Sequence, residues 1–244
     1  MLQQTQASRV APAFDRFVAR FPTLAALAAA PLGAVLREWS GLGYNRRARD
    51  LHRIARACAP TGLPRTVAEL DALPGIGAYT AGAIACFAFG QRVAFADTNI
   101  QRVLGRFFLG RRATNTEAVE LDARAMPTRD TDLWHHALMD LGATICKPAP
   151  LCAVCPLNAD CRLGIARSRG ESRSKADAIA HRPAAYNDSD RRIRGAIVRA
   201  LTARDLTVKA LEKEIGDERV GRLTELLVAD GLVEPVGRRY RLPV

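Results

Sequence analysis

The sequence predicts an all-α fold over residues 1–163, followed by a small module of three helices and a hairpin. Three observations carry this expectation. Apolar residues in 1–145 recur at spacings of three and four, as in Leu51, Ile54, Ala55 and Cys58. Proline and glycine cut that pattern into short segments at Pro22, Pro31, Gly41-Leu42-Gly43, Pro60 to Pro64 and Pro74-Gly75. No convincing strand alternation lies between the segments, which favours packed helices over an α/β sheet.

The elements follow in order. Val10, Phe14, Phe17 and Val18 repeat at helical spacing almost from Met1, so the chain is read as beginning inside a helix. Thr66 with Glu69 three residues later makes a capping box for a helix ending near Leu73. Pro74-Gly75-Ile76-Gly77 is a tight turn between two helices. Its glycines permit positive φ and close approach of another backbone, and its amides suit a phosphate. Asp97-Thr98-Asn99 precedes a helix that starts near Ile100, in a capping pattern. Residues 164–189 change to a polar, mainly basic linker. In 190–244, helices are expected over Ile193 to Leu201, Val208 to Ile215 (capped by Thr207) and Glu218 to Ala229. Two extended runs around Gly237 complete a winged-helix pattern. Arg238, Arg239 and Arg241 on the hairpin suit phosphate contact, and a protein-docking or stabilising module fits equally well.

Composition narrows the classes. The chain has 244 residues, 48% of them hydrophobic, enough for a sizeable core. A net charge of +11 and a pI of about 10.0 favour a polyanionic partner, most simply nucleic acid. Six cysteines without a secretory leader argue for a reducing compartment, so a cytoplasmic, nucleoid-associated protein is expected. No run is long and apolar enough to span a bilayer; Ala83 to Phe89 is short and Arg92 closes it. Cys58 and Cys86 lie in apolar helical stretches and are expected to be buried and inert.

The other four cysteines are the most specific signal. Cys146, Cys152, Cys155 and Cys161 form a C-x5-C-x2-C-x5-C run. Four thiolates within sixteen residues can reach one centre, which suits an iron–sulfur cube. Zinc also takes four thiolates, but its usual knuckles supply two close pairs, and only one C-x2-C pair occurs here. A 4Fe-4S cluster is the favoured reading, with zinc and a disulfide or inert arrangement as alternatives.

Met1-Leu-Gln-Gln-Thr-Gln6, Gly41-Leu-Gly-Tyr44, Leu73 to Ala83, Asp97-x-Asn99, Met139-Asp-Leu-Gly142 and the cysteine run stand in one order. Together they resemble the adenine DNA glycosylase (MutY) family of the helix-hairpin-helix DNA glycosylase superfamily. The likeness covers roughly residues 1–163. It implies a helix-hairpin-helix glycosylase core with a cluster loop at 146–161, and a winged-helix-like domain at 190–244 beyond the linker. It implies a monomeric repair enzyme that binds double-stranded DNA and hydrolyses the N-glycosidic bond of adenine opposite 8-oxoguanine or guanine. Asp97 is then the carboxylate that stabilises charge on the sugar, set against a purely capping role. Asn99 positions a water or that carboxylate. Tyr79 stands where the bifunctional endonuclease III carries a lysine; a phenol forms no Schiff base, so a monofunctional enzyme is expected. Pro74, Gly75, Ile76 and Gly77 contact DNA, Gln4 wedges beside the extruded base, Thr5 contacts the opposite base and Tyr44 stacks near it. For Gln4, Tyr44 and Tyr79, plain surface or packing roles stand as alternatives. Arg46, Arg47 and Arg49 suit phosphate contact or a solvated helix face.

Three features depart from the family pattern. Its catalytic glutamate falls two residues before the methionine matching Met1, so the reading frame is expected to continue upstream with that residue, or else the chain is inactive. The first cysteine gap has five residues rather than six. The short C-terminal module stands in place of a larger nudix-like domain. A mismatch thymine or uracil glycosylase could share Tyr79 and Asp97, but Gln3-Gln4-Thr5 and Met139-Asp-Leu-Gly142 favour adenine. A non-catalytic iron–sulfur DNA-binding protein is the alternative of a different class.

Overall fold

The structure is a computed structural model that describes residues 1–2, 5–170 and 189–244. Gln4 and most of the basic linker lie outside the described residues. Helices α1 to α4 span Ala7–Arg20, Leu24–Ala29, Leu32–Trp39 and Arg46–Cys58. Helices α5 to α9 span Val67–Asp71, Ala78–Phe89, Thr98–Leu109, Asn115–Ala125 and Thr131–Thr144. After a 3-10 turn at Cys152–Val154 come α10 (Arg162–Ser168), α11 (Asp190–Ala200), α12 (Val208–Ile215) and α13 (Val220–Ala229). Strands β1 (Glu234–Val236) and β2 (Arg239–Arg241) pair antiparallel, and Leu206 bridges to Tyr240 beside them. Among the described residues the fold is therefore helical with one small C-terminal sheet, as the sequence pattern predicts. Helix α10 runs to Ser168, beyond the start of the linker read at 164.

Two compact units form: Met1–Leu63 together with Pro183–Val244, and Pro64–Arg182. The first is built from both ends of the chain. Its core mixes Phe17, Val35, Leu36, Trp39 and Ala55 from the N-terminal helices with Ile193, Ile197, Leu211, Leu223, Leu227 and Leu242 from the C-terminal module. Gly33 shows how close the packing is. Its N–H donates to the Pro243 carbonyl at 2.7 Å, and a Cβ there would lie 2.6 Å from that oxygen. Only glycine fits without moving backbone.

Charge reinforces this seam. Asp230, the residue that ends α13, accepts from Arg46 at 2.9 Å and from Arg194. Its carbonyl accepts from Arg49. Burial works to raise the Asp230 pKa, but the two guanidinium bonds outweigh it and hold the carboxyl below its usual range. At the other end of the module, Asp190 and Asp217 engage Arg219, and Arg219 pulls Asp217 down to about 2.

Local chemistry sets the helix ends. Thr66 and Glu69 close the expected capping box, and Thr114 with Glu117 closes a second. The Thr207 side chain accepts from Ala210 N–H at 3.2 Å, as the cap of α12.

Asp230→Ala is expected to destabilise the first unit by about 1–2 kcal/mol, since it strips a mostly buried acceptor from two arginines. Trp39 fluorescence in a Trp134→Phe background reads that unit, because each unit holds one of the two tryptophans. The folded pKa of Asp230 is depressed, so its contribution is present above the unfolded value of about 3.9 and is lost as pH falls through the folded value. The gap between wild type and Asp230→Ala should therefore close below about pH 4.

Candidate active site and cysteine cavity

Within Pro64–Arg182, helices α5 and α6 form a hairpin. Gly75 turns the chain with φ of 77°, a conformation that side-chain-bearing residues rarely adopt. Ile76 N–H closes the turn on the Leu73 carbonyl at 3.1 Å. Gly77 precedes α6 without a side-chain cap, and nothing lies within 4 Å of where its Cβ would stand. The turn therefore presents open amides at a helix start, the arrangement that accepts a phosphate.

Helix α7 carries Asp97 at its N-cap. One carboxylate oxygen accepts from Asn99 N–H at 2.8 Å and Ile100 N–H at 2.7 Å; the other accepts from the Asn99 side chain at 3.0 Å. The capping role weighed in the sequence is thus present, and it aims the carboxylate. Tyr79 on α6 packs edge-on against Phe95 and meets Met139 Sδ at 3.9 Å. Burial, and then the charge of Asp97, push the Tyr79 phenol above its usual range. Asp97, Asn99 and Tyr79 are therefore brought together.

Gly142 explains part of the Met139-Asp-Leu-Gly142 pattern: a Cβ there would stand 2.6 Å from Asn99 Cβ. Its absence lets α9 lie against the start of α7.

Two residues that the sequence reading passed over link this corner to the cysteines. Arg102 donates to Asn99 Oδ1 and the Gly142 carbonyl, both at 2.7 Å, and to the Cys146 carbonyl at 2.6 Å. Arg106 is 1% exposed and donates to the Lys147 and Pro148 carbonyls and, at 3.5 Å, to Cys146 Sγ. The signal was available: residues 99, 102 and 106 recur at helical spacing, with two basic members on a helix that leads toward a cysteine run.

Cys146, Cys152, Cys155 and Cys161 line one cavity together with Arg106, Ile145, Leu151 and Leu163. All four are unpaired thiols, so the disulfide alternative is absent here. Among the described residues, no group of three or more His, Cys, Asp or Glu side chains is placed to hold a single metal ion. The sulfurs surround a void, with Arg106 against Cys146 and Arg167 reaching Cys152 Sγ at 3.8 Å. Burial pushes the Cys146 thiol up, and Arg106 opposes that shift. Four thiols around a cavity, with guanidinium groups beside two of them, fit an anionic multi-iron cluster.

Thr5 and Tyr44 belong to the other unit. Thr5 Oγ1 donates to the Leu42 carbonyl at 3.4 Å. Tyr44 has φ of 50°, and its ring is covered by Arg47 and Arg191 at 4.5 and 4.8 Å. Arg191 also donates to its hydroxyl. Gln4 lies outside the described residues. Cys58 and Cys86 are buried, as expected.

The helical hairpin with its open glycine turn and the capped aspartate fall within a matched family region. Residues 1–127 match the family model for HhH-GPD superfamily base excision DNA repair proteins, and the chain belongs to that superfamily. An adenine DNA glycosylase of Mycobacterium tuberculosis (strain H37Rv) is 38% identical across 100% of this chain and 83% of its own length. One from Mycolicibacterium smegmatis is 39% identical over 96% of this chain and 81% of its own. Within the superfamily, the chain is a member of the adenine DNA glycosylase family. The human adenine DNA glycosylase is 42% identical but aligns with only 61% of this chain and 29% of its own length. Among solved structures, a trapped endonuclease III–DNA covalent intermediate superposes with a TM-score of 0.61, at 27% identity over 69% of this chain and 82% of that one. A thermostable thymine-DNA glycosylase gives 0.59, at 28% identity over 67% and 80%.

The two roles of Asp97 separate by substitution. Asp97→Asn keeps an oxygen for the Asn99 and Ile100 N–H groups and loses only the acceptor that faces Asn99 Nδ2, so it should cost less stability than Asp97→Ala. Asp97→Ala removes the cap and should cost about 1 kcal/mol. Denaturant midpoints of the two variants measure the difference.

Proposed function

We propose that the chain is a monofunctional adenine DNA glycosylase that removes adenine opposite 8-oxoguanine or guanine from double-stranded DNA. The observation that carries the reading is the aimed Asp97 carboxylate beside Tyr79, in a chain that is 38% identical over its whole length to a protein of that name. Breaking a purine N-glycosidic bond builds positive charge on the sugar. A carboxylate already oriented by three N–H donors needs no reorganisation to face that charge. Asn99, held by Arg102, keeps the second carboxylate oxygen in place. Tyr79 offers a phenol where a strand-cutting relative has an amine, so the product is an abasic site in an intact strand.

The Pro74–Gly77 turn supplies amides for a backbone phosphate of the duplex. Thr5 and Tyr44, with Gln4, serve the bases left behind when adenine is extruded. The thymine or uracil reading has weaker support, since the thymine-DNA glycosylase likeness is 28% identical over 67% of the chain. The protein works as a monomer in the cytoplasm, on the nucleoid.

Cys146, Cys152, Cys155 and Cys161 hold a 4Fe-4S cluster in this reading. When bound, it supplies four thiolate–iron bonds that fasten the loop between α9 and α10. Arg102 and Arg106 orient that loop from α7 through its carbonyls.

The test uses the product of the full reading frame that contains these 244 residues. It should release adenine from a duplex carrying adenine opposite 8-oxoguanine and leave the strand uncut. Asp97→Asn should lower that rate by about a hundredfold or more while duplex affinity holds, because phosphates supply most of the binding. Release of thymine or uracil but not adenine would overturn the reading. Protein purified without oxygen should be brown with about four irons per chain, and serine at Cys152 or Cys155 should remove the colour. One tightly held zinc in a colourless protein would overturn the cluster assignment.

A further inference from the structure

A buried acid–base pair stands behind the candidate active site. Asp122 on α8 and His135 on α9 are both 0% exposed, and His135 Nε2 lies 2.9 Å from Asp122 Oδ2. His135 Nδ1 lies 2.7 Å from the Thr131 carbonyl. A carbonyl only accepts, so Nδ1 carries a hydrogen. Nε2 faces a carboxylate oxygen, so a hydrogen lies between Nε2 and Oδ2. The carboxylate also accepts from Trp134 Nε1–H on Oδ1 at 2.6 Å and from the Phe95 N–H on Oδ2 at 3.2 Å.

The same pair holds the other side of Phe95. The His135 ring stacks on the Phe95 ring at 4.0 Å between centroids and 15° between planes. Phe95 in turn meets Tyr79 edge-on at 5.6 Å. It presses on Gly82, where a Cβ would stand 2.8 Å from its own. Phe95 thus has its backbone fixed by Asp122, its ring fixed by His135 and its edge against Tyr79. It lies two residues before Asp97.

We propose that Asp122 and His135 are positioning residues that fix Phe95, and through it the spacing between Tyr79 and Asp97. The inference rests on the reading of Asp97 as the charge-stabilising carboxylate. A simple core contact would need no charge here. Two hydrophobic residues of similar volume would fill the space at lower desolvation cost. What they could not supply is an acceptor for the Phe95 amide at the entrance to the Asp97 loop.

Asp122→Asn tests this at one atom. With Nδ2 toward α9, the amide donates to His135 Nε2 and Oδ1 still accepts from Trp134. The Phe95 N–H then faces a donor and is released. The opposite orientation strands Trp134 and sets an oxygen against an unprotonated Nε2, so it is disfavoured. Amide hydrogen exchange of Phe95, Asn99 and Ile100 should quicken by at least about tenfold in Asp122→Asn. The kcat for adenine release should fall by about tenfold or more, with KM held within about twofold, because the reacting group is displaced and phosphate binding is not. Phe95→Leu keeps the amide bond and loses the stack. It should show the same kcat loss with the residue-95 amide still protected. Trp134→Phe removes the donor on Oδ1 and part of the ring but leaves the Phe95 amide its acceptor, so exchange at Phe95 and kcat should stay within about twofold of wild type.

Unchanged exchange at Phe95 in Asp122→Asn would sink the proposal. So would equal losses of kcat in Asp122→Asn and Trp134→Phe, which would mark generic destabilisation. If the wild-type protein released no adenine, the functional reading would fail instead, and the exchange rates alone would decide whether the pair places the loop.

Discussion

Helix α7 is pinned by charge at both ends, and the site and the cysteine cavity both hang from it. At its start, the Asp97 carboxylate holds the first amides. At its end, the buried Arg106 guanidinium holds the carbonyls of the cysteine loop. Arg102 lies between and touches both regions. Twelve helical residues rise about 18 Å, so one element spans the distance from the carboxylate to the cysteine loop. The helix dipole favours both ends, with an acid at the N-terminus and bases toward the C-terminus.

The two readings of Asp97 set against each other in the sequence are compatible. An N-cap must point its oxygens at the first turn of its helix, and that requirement fixes their direction. A carboxylate that had to be swung into place on binding would lose part of its effect to reorganisation. Capping therefore prepares the group for the chemistry assigned to it. The Gly142 contact with Asn99 serves the same end from the neighbouring helix.

What could be read from the sequence was what short-range chemistry determines. The capping box at Thr66, the cap at Thr207, the glycine turn and the C-terminal helices and hairpin all depend on residues within a few positions. The family resemblance rested on such segments as well. Asp122 was invisible for the opposite reason. It sits in Asn-Thr-Glu-Ala-Val-Glu-Leu-Asp, which reads as a solvated helix, and its burial depends on Phe95 and His135 in other elements. Arg106 likewise looks like a surface base until the cysteine loop folds over it. The sharing of one core by residues 1–63 and the C-terminal module was equally hidden, because an apolar stripe announces a buried face without naming what covers it.

That shared core has a consequence for the order in which the molecule is made. Residues 1–63 are made before the C-terminal module, yet the partners of Phe17, Val35 and Trp39 are translated only after the whole middle segment. At about 5–20 residues per second, the N-terminal helices wait on the order of ten seconds or more with apolar faces uncovered. The segment 64–182 carries a core of its own and can close during that interval. The stretch that holds the candidate catalytic residues can thus be finished before the unit built from residues 1–63 and 183–244. A nascent chain stalled before residue 190 would display a folded middle and an exposed beginning, the kind of surface that chaperones and proteases recognise.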